Sequence, residues 1–150
     1  MQIRDATIDD AAAIARIYNQ GIEDRIATLE TVLRTPEDRE QWLAEHTARH
    51  PVLVVTDNDE VAGWASLNRF NPRPVYDHVA DLSVHVARER RGAGVGTDLL
   101  RALEERARNV GYHTLVLAAL AHNSARMRLY ERCRFRLIGI YEEQGVLDDR

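Results

Sequence analysis

Residues 88–100 read "RERRGAGVGTDLL", the stretch of this sequence with the clearest chemical potential. Gly92, Gly94 and Gly96 alternate with small residues, Arg88, Arg90 and Arg91 stand before them, and an amphipathic run follows. Glycines in that pattern let main-chain N–H groups approach a phosphate at the start of a helix, where free donors and the helix dipole attract anions. The arginines are expected to add mobile positive charge. A Walker-type loop ends in Gly-Lys-Ser/Thr, but Gly96 precedes Thr97 and Asp98, and the chain has no lysine: its Lys plus Arg total of 20 is all arginine. A dinucleotide fingerprint needs Gly-x-Gly-x-x-Gly after the first strand of a parallel unit. Here the spacing differs and an antiparallel-looking meander precedes the glycines. Strand, Arg-x-x-Gly-x-Gly, helix is the pattern that fits, through Arg91, Gly94 and Gly96. A tight strand-to-helix turn without a ligand is the alternative.

The elements that must position this loop are legible around it. Residues 1–7 read as a strand, with Thr7 as a helix cap and Asp10 in the first turn. Ile14, Ile17, Tyr18 and Ile22 recur at helical spacing. A second helix opens with Thr35, Pro36, Glu37 and Asp38, and its Trp42 and Leu43 should face the core. Residues 51–56 and 61–70 read as a hairpin around "DNDE", 71–78 as a proline-bearing loop, and 79–86 ("VADLSVHV") as a further strand. After the glycines, Leu99, Leu103, Ala107 and Val110 mark a helix that Gly111 ends. A strand over 113–120, a helix over 123–133 and a final strand over 136–147 complete the order β-α-α-β-β-β-α-β-α-β. This is one mixed α/β domain spanning residues 1–150.

Composition narrows the function. The chain is 45% hydrophobic and 29% charged with a formal net charge of −4, which argues against general nucleic-acid binding. No apolar stretch is long enough to span a bilayer and the first residues lack a secretory pattern, so a cytoplasmic location without membrane attachment is expected. The single cysteine, Cys133, excludes an internal disulfide and is expected to be a packing residue.

The glycine segment resembles the coenzyme A pyrophosphate loop of the GCN5-related N-acetyltransferases (GNAT), and the element order is similar to theirs over nearly the whole chain. Within that superfamily the chain resembles the phosphinothricin and arsinothricin N-acetyltransferase branch. The matching stretches are "IRDATIDDAAAIARIYNQGIEDRIATLET", "RPVYDHVADLSVHVARERRGAGVG" and "GYHTLVLAALAHNSARMRLYERCRF". The first, with "IYNQGI" and "ATLET", is the more specific.

The resemblance implies a GNAT fold, a mixed sheet flanked by helices, and transfer of acetyl from acetyl-CoA to the primary amine of a small amino-acid-like substrate. Phosphinothricin, arsinothricin and methionine sulfoximine are the substrate types, direct transfer in a ternary complex is the route, and no metal is needed. Main-chain groups of Ser83, Val84, His85 and Val86 would hold the pantetheine arm, with Val84 or His85 polarising the thioester carbonyl. Arg91, Gly92, Ala93, Gly94, Val95, Gly96 and Thr97 would take the pyrophosphate, and Asn123 would both cap its helix and touch the pantetheine. Asp81 stands where the branch usually has a glutamate base; it could act through a water, or be a structural acid. His78 and His113 match branch histidines that could tune or replace it. Tyr130 is the candidate proton donor to the leaving thiolate. Arg73 and Tyr76 are candidates for binding an acidic group of the acceptor, and Glu30 for orienting its ammonium. Two departures stand out. Arg134 occupies a position where the family has a helix-ending glycine, at a cost of order 1 kcal/mol if the left-handed conformation is kept. The family's last strand is also expected to be missing after "GVLDDR", so pairing with a partner chain, a homodimer, is expected. A protein N-terminal acetyltransferase and a weakly catalytic acyl-CoA sensor are the rival readings.

Overall fold

A computed structural model describes residues 1–26, 28, 30–120 and 122–142. Among these described residues, five strands form one sheet in sequence order: β1 (Gln2–Asp5), β2 (Val52–Asp57), β3 (Glu60–Arg69), β4 (Val79–Val86) and β5 (Thr114–Val116). The first four pair antiparallel and β5 joins β4 in parallel. Helices α1 (Ala11–Glu23) and α2 (Pro36–Glu45) cover one face, and α3 (Val95–Asn109) and α4 (Ser124–Arg132) the other.

Local chemistry accounts for these elements. The Thr35 hydroxyl accepts from the Asp38 N–H at 3.1 Å and Pro36 takes the first helical position, so α2 starts as its sequence predicts. The β2–β3 hairpin turns on Asn58 and Asp59, both at positive φ (51° and 65°), the conformation a two-residue hairpin loop demands. Side-chain alternation on β4 then splits its residues between two faces. Ala80, Leu82 and Val84 join an aliphatic core with Leu99, Leu100 and Leu103 of α3 and Leu129 and Tyr130 of α4. Across the sheet, Ile14, Ile17, Val54 and Trp64 form a second core, with Tyr18, Trp42 and Leu43 packed against it. Cys133 packs, partly buried, against the first.

Two expectations are corrected. Residues 136–142 form no strand: Leu137, Ile138, Ile140 and Tyr141 are 61–86% exposed and pair with nothing in the sheet, so apolar character alone did not make a strand there. The remainder of that predicted strand, residues 143–147, lies outside the described residues, as does "GVLDDR". The strand expected over 113–120 is shorter, Thr114–Val116, because the chain leaves β4 after Val116.

Arg134 does keep the left-handed conformation, at φ 67°. The Phe135 N–H reaches the Tyr130 carbonyl at 2.9 Å and the Arg134 N–H reaches that of Glu131 at 3.0 Å, the paired bonds of a Schellman end. The same motif brings the Phe135 ring onto Tyr130, with centroids 6.1 Å apart. At Gly63 of β3 the need is close approach: an added Cβ would lie 3.0 Å from the His85 carbonyl and 3.1 Å from side-chain atoms of Val95 and Leu99. That contact lets the first turn of α3 sit directly on the sheet.

Two outcomes follow. Arg134→Gly should stabilise the protein by about 1 kcal/mol, read as a rise of roughly 2–4 °C in Tm. Gly63→Ala should destabilise by about 1–3 kcal/mol through overpacking, read as a lower urea midpoint at unchanged slope.

Candidate functional site

The site is made by two strands that part. β4 and β5 pair through Val79–Thr114, Ala80–Leu115 and Asp81–Val116 and no further. Beyond Asp81 a cleft opens between them. Leu82, Ser83, Val84 and His85 form one wall, Ala118, Ala119 and Leu120 the other, and Ile26, Arg126 and Tyr130 close it.

Main-chain direction along β4 decides which groups this cleft receives. The Ala87 N–H donates to Ala62 of the β3 side, and the His85 carbonyl lies against Gly63. The Val84 carbonyl, by contrast, accepts from Arg126 of α4. Residues 83, 85 and 87 therefore turn their main chain toward β3, and Leu82, Val84 and Val86 turn theirs toward the cleft. This corrects the expectation for residues 83–86. Val84 and Val86 can offer main-chain groups to a ligand, while those of Ser83 and His85 face β3.

The His85 side chain is 8% exposed and stacks on Trp64, centroids 4.6 Å apart, with Tyr18 against its edge at 5.2 Å. Burial, with the positive charges of Arg126 and Arg39 adding to it, pulls its pKa down to about 3. It is a neutral packing group at physiological pH.

Asp81 sits at the vertex of the cleft, on the α1/α2 face of the sheet. Asn68 lies directly across on β3 and hydrogen-bonds its carboxylate. The Asn68 amide also donates to the Ser83 hydroxyl at 3.1 Å, and the Ser66 hydroxyl donates to the Asn68 side-chain oxygen at 3.1 Å, so the acid lies on a polar floor. Burial raises the Asp81 pKa above the usual carboxylate range, partly offset by the Leu82 N–H and Asn68. Tyr130 approaches from the opposite face, 7% exposed, its hydroxyl 3.3 Å from an Arg126 nitrogen.

The glycine loop lies at the far end of β4. Gly92 and Gly94 take φ of 81° and 85°, and Gly94 is the residue before α3. A Cβ on Gly96 would lie 3.1 Å from Leu129 and 3.6 Å from Val86, so loop, strand end and α4 meet at one point. The first N–H groups of α3 thus stand at the mouth of the cleft, a place suited to an anion. The neighbouring arginines are not mobile charge, contrary to expectation. Arg88 and Arg91 both bind Asp24 at the end of α1, at 2.9 and 2.7 Å, and Arg90 pairs with Asp57. Hydrogen bonds from Arg88 and then Arg91 hold the Asp24 carboxyl below its ordinary range.

The other predicted residues divide between the two ends of β4. Exposed His78 and His113 stand 6.0 Å apart by ring centroids at its start. His78 is three residues, about 10 Å of strand, from Asp81. Arg73 and Tyr76 lie in the loop before it; the Arg73 guanidinium is exposed and has no acidic partner among the described residues. Glu30 is at the other end, ion-paired with Arg34 and hydrogen-bonded to Tyr18, which meets His85. Asn123 caps α4 by accepting from the Arg126 N–H at 3.1 Å, and it donates to the Ile26 carbonyl at 2.9 Å.

Sequence reasoning missed Asn68, which only the strand register places beside Asp81. It also missed Arg126, although the i, i+4 spacing to Tyr130 already put both on one helix face. Among the described residues no cluster of three His, Cys, Asp or Glu is arranged for a metal, and no helix is long and apolar enough to cross a membrane.

Comparisons with known proteins agree with this architecture. Residues 13–135 match the family model described as "Acetyltransferase (GNAT) family". The L-methionine sulfoximine/L-methionine sulfone acetyltransferase of Pseudomonas paraeruginosa (strain DSM 24068 / PA7) is 34% identical over 145 residues, covering 95% of this chain and 84% of that protein. The structure of ribosomal-protein-alanine N-acetyltransferase from Brucella melitensis superposes with a TM-score of 0.96 at 35% identity, covering 100% of this chain and 93% of that one. That of yncA from Salmonella typhimurium, which holds its cofactor acetyl-CoA, gives 0.95 at 30% identity, covering 100% and 87%. A parted strand pair, a glycine loop at its mouth and a match over most of its length place this chain in the GNAT family of acetyltransferases.

Proposed function

We propose that the protein transfers acetyl from acetyl-CoA to the primary amine of a small amino-acid-like acceptor of the methionine sulfoximine or phosphinothricin kind. The observation that carries this reading is the position of Asp81. It is the last β4 residue paired with β5, its carboxyl raised in pKa by burial, with the cleft-facing main chain of Val84 just beyond it.

Acetyl-CoA, when bound, supplies the acetyl group as a thioester. The cleft edge of β4 and the start of α3 fit such a donor: Val84 and Val86 offer main-chain groups to an amide-bearing arm, and residues 94–97 offer N–H groups to a pyrophosphate. Asp81 takes a proton from the acceptor ammonium through a water, freeing the lone pair for attack. The Val84 N–H, facing the cleft, donates to the carbonyl oxygen as negative charge develops there. As the carbon–sulfur bond breaks, Tyr130 gives its hydroxyl proton to the departing sulfur, and the second proton of the acylated nitrogen returns through water to the tyrosine oxygen. Asp81 and Tyr130 reach the cleft from opposite faces of the sheet, which suits direct transfer with both substrates present. Arg73 and Tyr76, in the loop before β4, bind an acidic end of the acceptor, whereas Glu30, at the other end of the strand, is too distant to hold the same small molecule and instead supports Tyr18. His78 and His113 stay at the rim, too far along the strand to replace Asp81. The exposed Leu137, Ile138, Ile140 and Tyr141 favour a second copy covering them, and light scattering should give a dimer mass.

Acetylation of a protein N-terminus is the second reading, favoured by the likeness to the Brucella melitensis enzyme. A panel of amino acids, glutamate analogues and short peptides against acetyl-CoA, read as kcat/KM, separates the two. Free amino-acid analogues should be preferred; a preference for alanine-starting peptides would reverse the assignment.

Asp81→Asn should lower kcat/KM by about 10²–10⁴ while leaving coenzyme A affinity in place. Wild-type kcat/KM should fall as pH drops through the raised Asp81 pKa, and that limb should vanish in the variant. The linkage gives the sign for stability. A carboxyl whose folded pKa is raised contributes stability below its unfolded pKa that is lost as pH rises through the folded value. Asp81→Asn should therefore raise Tm at neutral pH, and the gain should disappear below about pH 4. An unchanged rate would remove Asp81 as the base.

A further inference from the structure

One acceptor on the cleft edge of β4 already has an occupant. Arg126 donates through its guanidinium to the Val84 carbonyl and to the Tyr130 hydroxyl. Its own N–H is held by Asn123 at 3.1 Å, which fixes the first turn of α4 and the direction in which the side chain leaves it. Arg88, Arg90 and Arg91 near the cleft mouth each have an acid, whereas Arg126 has no carboxylate partner among the described residues. A half-buried cation without a counter-ion is retained by whatever acceptors it can reach. Here those are one main-chain oxygen and one phenol. The oxygen is also one that an extended ligand laid along β4 as an added strand would need, since strand addition works by main-chain hydrogen bonds.

We propose that Arg126 is an internal occupant of the donor cleft and thereby sets donor affinity: its guanidinium holds the Val84 oxygen against the pantetheine amide and leaves it when the donor is seated. This rests on the reading that acetyl-CoA lies along β4. The sign follows from the bonds exchanged. Seating the donor replaces a charge-assisted hydrogen bond with a neutral amide one, and charge-assisted bonds are the stronger. The protein's own side chain therefore weakens the donor's grip.

Calorimetric titration of the full chain with coenzyme A and with pantetheine, for wild type, Arg126→Ala and Arg126→Met, tests this. Methionine keeps an unbranched apolar stem in the wall but has no N–H to offer, so it serves if the alanine variant fails to fold. Both variants should bind both ligands about tenfold more tightly than wild type. Wild-type binding with no gain in the variants overturns the inference alone. Weaker coenzyme A binding with unchanged pantetheine binding also overturns it, because Arg126 would then serve the phosphates. Absence of coenzyme A binding in all three proteins overturns the donor-cleft reading and this inference with it.

Discussion

Main-chain hydrogen bonding along β4 is the constraint on which the rest of the molecule turns. A buried strand must satisfy its N–H and C=O groups. On one edge β3 does so from Gly63 to Arg69. On the other, β5 does so for three residues and then departs. Everything past Asp81 on that edge needs a partner from outside the sheet. The Val84 carbonyl finds one in Arg126 of α4. A strand edge left unpaired inside a domain invites an extended molecule to complete it, and the fold shields this one by placing it between helices rather than at the rim.

The two faces of the sheet divide the labour. Leucines and valines between β4, α3 and α4 form a close-packed layer, which fixes Tyr130 and the start of α3 against the strand. The opposite face is aromatic and polar: Trp64, His85, Tyr18 and Trp42 pack together, and Ser66, Asn68, Ser83 and Asp81 form a hydrogen-bonded row beside them. Alternation along one strand is enough to send an acid to one layer and a main-chain donor to the gap. An acidic group of raised pKa costs stability when ionised, and the aliphatic layer across the sheet offsets that cost.

Much of this was legible in the residues because each signal was local. The caps at Thr35 and Asn123, the hairpin at "DNDE", the glycine-to-helix turn and the left-handed Arg134 are all set by neighbours in sequence. What was not legible depended on partners far along the chain. The three arginines before the glycines looked like free charge, and only folding brings Asp24 and Asp57 to them. Which of Val84 and His85 faces the cleft follows from strand register, which side-chain chemistry does not encode. Apolar residues at 137–141 imitated a strand because β-branched and aromatic composition marks a segment fit for a sheet without supplying the neighbouring strand or the layer that would cover it.

The surface ion pairs have one further consequence. Those joining Arg4 to Asp10, Arg16 to Glu89, Arg88 to Asp24 and Arg106 to Asp5 all use guanidinium, as the lysine-free composition requires. A guanidinium stays protonated throughout the physiological range, whereas an ε-ammonium releases a nucleophilic amine at modest alkalinity or on burial. The chain consequently carries no side-chain amine that a reactive thioester can acylate. A protein that works beside such thioesters keeps its surface charge, and the ion pairs built on it, free of self-inflicted modification.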